Sequence, residues 1–261
     1  MKHLRLLMAG SILAGMVAGC SKSTDPSVTT NLSLKMSAGS VNGATAMGAR
    51  VASSGTRVGA NGVSAKDTVI LADVEVNVQN VKFDFDRDDE HFKKDSAFDE
   101  GKDVRLKGPF IVDLMKDNAF VSQVITAINI PNAKYEKVRF KLAPSETSGD
   151  MEEKSILIKG TIGTKPFVFW DDARLKFSAR FPDSTALATS GAAVTMAINL
   201  ELDKIIAIAN RGFLSQAKDG NNDGIITIDR KNDDGNEEVA EKLIWLLEHH
   251  AIHWERERED H

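Results

Sequence analysis

The chain has 261 residues, 42% of them hydrophobic and 27% charged, with a formal charge of −5. This is ordinary globular composition, long enough for one sizeable core. The acidic balance excludes a general nucleic-acid grip, and a single cysteine excludes an intrachain disulfide framework or a cysteine-rich zinc site.

The chain opens MKHLRLLMAGSILAGMVAGC. Lys2 and Arg5 make a basic start, and an apolar run from Leu6 to Ala18 follows, too short for a comfortable membrane span. It ends in small residues, as a secretory signal does. The last four, Val17-Ala18-Gly19-Cys20, resemble the lipobox of bacterial lipoproteins. That resemblance implies cleavage before Cys20, acylation of its thiol and new amine, and a palmitate-type anchor. Ser21, where an aspartate would signal inner-membrane retention, implies the outer membrane. The competing reading is a plain cleavable signal with a chance cysteine.

Loss of residues 1–19 leaves a chain near −7. Residues 21–67 are rich in Ser, Thr, Gly and Ala and have no aromatics, which predicts a lipidated flexible tether over 20–67. Within it Leu32, Leu34 and Met36 alternate with Ser33 and Lys35, the pattern of a first edge strand.

From Thr68 the period is two. Val74, Val76 and Val78 share one face, and Val81, Phe83 and Phe85 continue in the opposite phase, so a bulge or a break between two strands is expected at Gln79-Asn80. Further strands are predicted over 110–114, 121–130, 135–142, 155–162, 166–170, 175–181 and 194–202, separated by turn signals such as Lys107-Gly108-Pro109 and Pro131-Asn132. Short strands with this punctuation predict a mainly β domain over 68–202, an antiparallel Ig-like β-sandwich. The absence of βαβ alternation excludes a doubly wound nucleotide fold. The stretches Gly108-Pro-Phe-Ile-Val-Asp-Leu-Met115 and Ile130-Pro-Asn-Ala-Lys-Tyr-Glu-Lys-Val-Arg-Phe140 resemble an uncharacterised β-sandwich domain of bacterial envelope lipoproteins, with Ala133 where that family carries glycine. The resemblance implies fold and location and supplies no activity.

After Leu202 the grammar turns helical, and residues 203–261 are expected to form a helix–loop–helix. Ile205, Ile206, Ile208, Ala209 and Phe213 predict a helix over 203–216 that Gly212 weakens. A second helix is predicted over 237–256, capped by Asn236 and carrying Val239, Leu243, Leu246, Leu247, His250 and Trp254 on one face. Trp245 and Ile252 lie on another side, so burial along more than one stripe is expected.

Between them lies the sharpest motif, Asp219-Gly-Asn221-Asn-Asp223-Gly224-Ile225-Ile226-Thr227-Ile-Asp229, which fits D-x-[DN]-x-[DN]-G-x-I. Alternating side chains of a tight loop aim oxygens at one centre, which suits calcium with its six to eight oxygen ligands. Asp219, Asn221 and Asp223 are the expected side-chain ligands, Ile225 the carbonyl, and Asp229 or a later acid the remainder; Ile226 pins the loop to the core. The motif is similar to EF-hand loops, and its asparagine to dockerin and thrombospondin loops. It departs from them at the last ligand position, where Arg230 replaces a bidentate acid. The competing reading is a solvated acidic turn. Residues 219–261 hold 13 acids and five Lys/Arg, so the chain's acidity is local to this module.

Other clusters carry less. Asp84, Asp86 and Asp88 would share one face of an extended strand, as a second divalent site, an acidic docking strip, or simply a strand running into a charged loop. His249 and His253 are four apart on a helix and would reach one zinc or copper ion, with Glu257 the nearby third ligand. Phe167, Phe169 and Trp170, followed by Asp171-Asp172, suggest either one wall of a sugar site or core. No nucleophile elbow, H-E-x-x-H or P-loop is present. The expected function is therefore a non-catalytic binding or structural lipoprotein of the cell envelope with a structural calcium site. Its partners would be the membrane and an envelope protein or glycan. The alternative is an envelope polysaccharide hydrolase or carbohydrate-binding protein.

Overall fold

The computed structural model describes residues 29–39, 50–51, 68–85, 104–117, 119–131, 135–180, 194–231 and 233–251. Cys20, the signal segment, Asp86, Asp88, His253, Trp254 and Glu257 lie outside the described residues. Among the described residues no helix is long and apolar enough to cross a membrane.

The chain is mainly β, with two helices near its end. Strand β1, Thr29–Ser37, pairs with β7, Gln123–Pro131, on one side and with β12, Val194–Asn199, on the other. The alternation of Leu32, Leu34 and Met36 buries all three completely. The span expected as tether therefore contains a core strand, and that strand is central in its sheet where an edge was expected. Its pairing with β12 is parallel, from Leu32 opposite Val194 to Ser37 opposite Asn199, a departure from an all-antiparallel sheet.

The larger sheet is organised by β3, Val69–Phe85. One edge of β3 pairs with β4, Val104–Asp113, and at its start with β2, Arg50–Val51. The other edge is shared end to end by β9, Ile156–Ile162, along the first half and β8, Tyr135–Leu142, along the second. Register slips between Val78 and Asn80 against both β4 and β8, so the phase change in the sequence is a bulge within one strand. The bulge keeps Val74, Val76 and Val78 and then Val81 and Phe83 on the buried side. Asn77, itself buried, closes the seam where β8 ends and β9 begins. Its N–H donates to the Ser155 carbonyl at 2.9 Å, and its side-chain amide donates to the Ala143 carbonyl at 2.8 Å. Strand β11, Lys176–Arg180, extends the sheet beyond β8, and β10, Lys165–Asp171, extends it beyond β9. A small hairpin, β5 Met115–Lys116 with β6 Ala119–Phe120, completes the middle of the chain.

Helix α1 runs Leu202–Gly212 and gives way at Gly212 to a 3-10 turn, Leu214–Gln216. A three-residue strand, β13 Ile226–Ile228, lies inside the segment expected as a loop and adds in parallel to the edge of β10. Helix α2 is described over Glu237–His250. Val239, Leu243, Leu246 and Leu247 are buried as predicted, whereas Trp245, expected on a second gripped stripe, is 53% exposed. Leu32, Val81, Phe169, Ile205, Ile228 and Leu247 belong to one contiguous core, so both sheets and both helices share it.

Candidate metal centre

The loop between α1 and α2 is held to the edge of the large sheet at two ends of one strand. At the start of β10, Lys165 Nζ stands 3.5 Å from Asp219 Oδ2. At its end Arg230 grips Asp171, Nε to Oδ2 at 2.6 Å and Nη2 to Oδ1 at 2.8 Å, and Nη2 also donates to Asp172 Oδ1 at 3.0 Å. Arg230, which stands where a calcium loop carries its last ligand, is thus a clamp onto the sheet. The Asp171 carboxylate, against the cost of burial, raises the guanidinium's proton affinity still further. Between the clamps β13 pairs with β10, and Ile226 and Ile228 are buried, as the motif requires of its pinning isoleucine. Since the Asp171 side chain is only 1% exposed, Arg230→Ala leaves a buried charge without its cation. Arg230→Ala is expected to cost about 2–3 kcal/mol, less than a fully buried pair because the arginine is partly solvated. Urea denaturation measures it.

Within the loop the oxygen-bearing side chains fold onto backbone N–H groups. Asp219 Oδ2 accepts from Gly224 N–H at 3.2 Å, Asn221 Oδ1 from Asp223 N–H at 2.9 Å, and Asp223 Oδ1 from Ile225 N–H at 2.8 Å. Asn221 Nδ2 donates to Asp223 Oδ2 at 3.1 Å, which ties two of the expected ligands together. Gly224 has φ +92°, the left-handed region that the sharp turn needs. Asp219 shows the most informative geometry. Its side chain is 7% exposed, and its Oδ1 is buried with no hydrogen-bond partner among the described residues. A buried carboxylate oxygen left unpaired costs free energy that a bound cation would offset.

Asp229, expected as a further ligand, is buried and spends Oδ1 on Lys231 N–H at 2.6 Å, in the turn that follows β13. Among the described residues no group of three or more His, Cys, Asp and Glu side chains converges as a metal set. The candidate donors expected from the motif are the carboxylates of Asp219 and Asp223, the Asn221 amide oxygen and the Ile225 carbonyl. This is a hard-oxygen set of the kind calcium takes.

Two residues do work that the sequence pattern did not assign. Asp234 sits at the centre of the loop. Its Oδ1 accepts from Gly220 N–H at 3.1 Å and Asn221 N–H at 3.0 Å, and its Oδ2 from Thr227 N–H at 2.6 Å. Burial works against its charge, but those three N–H groups outweigh it and hold the carboxyl below the usual range. A side chain at Gly220 would meet the Asp234 carbonyl at 2.2 Å, so only glycine allows this approach. Asn236, predicted to cap α2, makes no side-chain cap bond. Its amide instead accepts from Lys218 N–H at 3.0 Å and donates to the carbonyls of Lys218 and Thr227, each at 2.7 Å. The asparagine thereby staples the two arms of the loop just before the helix.

Of the remaining candidates, those among the described residues make ion pairs and packing contacts. Asp84 is ringed by Arg139 Nη2 at 2.6 Å, Lys82 Nζ at 3.1 Å and Lys137 Nζ at 3.9 Å. Burial opposes its charge, but the bonds from Arg139 and Lys82 hold its carboxyl below the usual range. His249 stacks on Trp245 with ring centroids 4.6 Å apart, and its Nδ1 lies 2.8 Å from the Trp245 carbonyl. Phe167 and Phe169 are core residues. Trp170, partly exposed, has Lys231 Nζ 4.8 Å from its ring centroid.

Comparison with known proteins adds no relative. The chain matches no family model, no curated protein and no solved structure.

Proposed function

We propose that this chain is an outer-membrane lipoprotein, anchored through acylated Cys20. In this reading it is a non-catalytic binding or structural module of the cell envelope, built as an Ig-like β-sandwich. A C-terminal helix–loop–helix carries a structural calcium site. The anchor reading rests on the chain's one cysteine, which stands at the end of an apolar run after two bases. Metabolic labelling with a palmitate analogue tests it: label is expected on the native chain and lost in Cys20→Ser. Labelling unchanged by that substitution removes the anchor.

One observation carries the calcium site. The Asp219 side chain is more than nine-tenths buried, and among the described residues its Oδ1 has no hydrogen-bond partner, in a loop whose neighbouring side chains, Asn221 and Asp223, bear oxygen. Asp219, Asn221 and Asp223 supply side-chain oxygens and Ile225 a carbonyl. With Arg230 committed to Asp171, the affinity falls near the roughly 10⁻⁴–10⁻³ M of extracellular calcium modules. Binding to the folded chain alone stabilises it by RT ln(1 + [L]/Kd), about 1.4 kcal/mol at ten times Kd. Millimolar calcium is therefore expected to raise Tm by about 2–5 °C, and magnesium by less. Asp219→Ala with Asp223→Ala should abolish the rise. No calorimetric heat and no thermal shift at about 10 mM calcium, well above that affinity range, would leave the solvated turn as the better description.

A further inference from the structure

The solvent side of β3 carries opposite charge on its two halves. Before the bulge it presents Asp73 and Glu75, and Lys159 of β9 answers them, with Nζ 3.1 Å from Asp73 Oδ2. Past the bulge the sign reverses. Register sets Lys176, Lys141, Asn80 and Lys107 side by side across β11, β8, β3 and β4. The next row is Ser178, Arg139, Lys82 and Arg105. Residues directly opposite each other share a face of the sheet. Val81, Phe83, Val138 and Phe140 of the same strands are buried in the core, so both rows stand on the solvent side. A third row sets Lys137 opposite Asp84, the one acid in the three rows among the described residues, with its carboxylate sunk beneath Lys82 and Arg139.

Like charges directly opposite each other destabilise a sheet. Here Lys176 faces Lys141, and Lys82 lies between Arg139 and Arg105. The whole chain carries −5, so the concentration of cations on one face does not follow from composition. Asp84 offsets that cost for Lys82 and Arg139, and an anionic partner would offset it for Lys176, Lys141, Lys107 and Arg105. The rows extend over four strands, about 15 Å at the usual strand spacing. They hold no aromatic side chain of the kind on which single-stranded nucleic acid stacks. Cations spread over four strands match a surface of many phosphate groups better than a single strand or a single ion.

We infer that this basic face docks on the anionic headgroup surface of the membrane. The inference rests on the lipid-anchor reading, which would hold the domain near the bilayer: the chain from Cys20 to the start of β1 at Thr29 spans at most about 30 Å. Each base near an anionic surface strengthens binding roughly fivefold, and salt screens the attraction.

The test uses residues 20–261 with Cys20→Ser, which keep every described residue but carry no lipid, so it reads the face independently of the anchor. Co-sedimentation is measured with vesicles of phosphatidylcholine containing about 30% phosphatidylglycerol, and with phosphatidylcholine alone. Salt-sensitive binding to the anionic vesicles only is expected. The triple variant Arg105→Gln, Lys107→Gln, Lys176→Gln, none of which touches Asp84, should weaken that binding about 100-fold. The control triple Lys116→Gln, Arg174→Gln, Lys218→Gln, exposed but outside these rows, should change it little. Equal losses in the two triples, or no loss in the first, would overturn the proposal. So would tighter binding to a soluble sulfated polysaccharide or to single-stranded DNA than to the vesicles. Palmitate labelling that fails while vesicle binding holds would remove the anchor and leave the face.

Discussion

Asp234→Ala is expected to destabilise the protein by about 2–4 kcal/mol, although Asp234 belongs to no strand or helix. Its carboxylate is the common acceptor for the N–H groups of Gly220, Asn221 and Thr227. Hydrogen bonds to a charged group contribute about 1.5–3 kcal/mol each, and the total is smaller here because Gly220 and Asn221 are exposed and their N–H groups can turn to water. Asp234→Asn should recover only part of the loss, because its NH₂ group confronts a donor on one side of the loop. The same carboxylate gives a pH dependence. Its pKa is lowered in the folded state, so its contribution is fully present above the unfolded value, about 3.9, and is lost as pH falls through the folded value. Asp84, lowered by Arg139 and Lys82 against its burial, acts in the same window and in the same direction. Urea denaturation at pH 7 and near pH 3 should therefore show a gap between native and Asp234→Ala proteins that narrows in acid. A gap that widens in acid would contradict this assignment.

Leu243→Ala combined with Leu247→Ala is expected to cost about 4–8 kcal/mol, most of the stability of an ordinary domain. Each leucine is almost fully buried, and both belong to the core cluster that includes Phe169 of β10 and Leu32 of β1. Each truncation removes transfer free energy and leaves a cavity, about 2–5 kcal/mol per site. The consequence for architecture is sharper than the magnitude. Because α2 shares one core with both sheets, the double variant should lose the cooperative transition of the whole chain. Far-ultraviolet circular dichroism through a thermal ramp reads this. A variant whose β signal melts at the native temperature would show α2 to be an independent appendage.

The strands were legible because burial of one face imposes a period of two on the side chains. Tyr135–Leu142 was read to the residue, and the bulge at Gln79-Asn80 was visible because the apolar phase flips there. The loop motif was legible for a related reason. A tight turn with oxygens at alternate positions needs aspartate, asparagine and glycine at fixed spacing, and Gly224 and Asp219 take up the bond that spacing implies.

Other features were settled only by which distant segments meet. Alternation in Leu32, Leu34 and Met36 announces a strand with one buried face but says nothing of its neighbours. The parallel pairing with β12, which joins Ser37 and Asn199 across 162 positions, placed it at the centre of its sheet. Arg230 read as a gap in a calcium loop until the fold brought Asp171 to it from 59 residues away. Asn236 had the position of a helix cap, yet its amide found better partners in two carbonyls and an N–H of the folded loop. The basic face depends on the register of four strands, each of which contributes no more than three cations to it. A residue's own burial leaves a local mark on the sequence, because it constrains that side chain. The identity of its neighbour does not, because hydrogen-bond ladders, ion pairs and charged faces are completed by whatever the closing of the core brings into register.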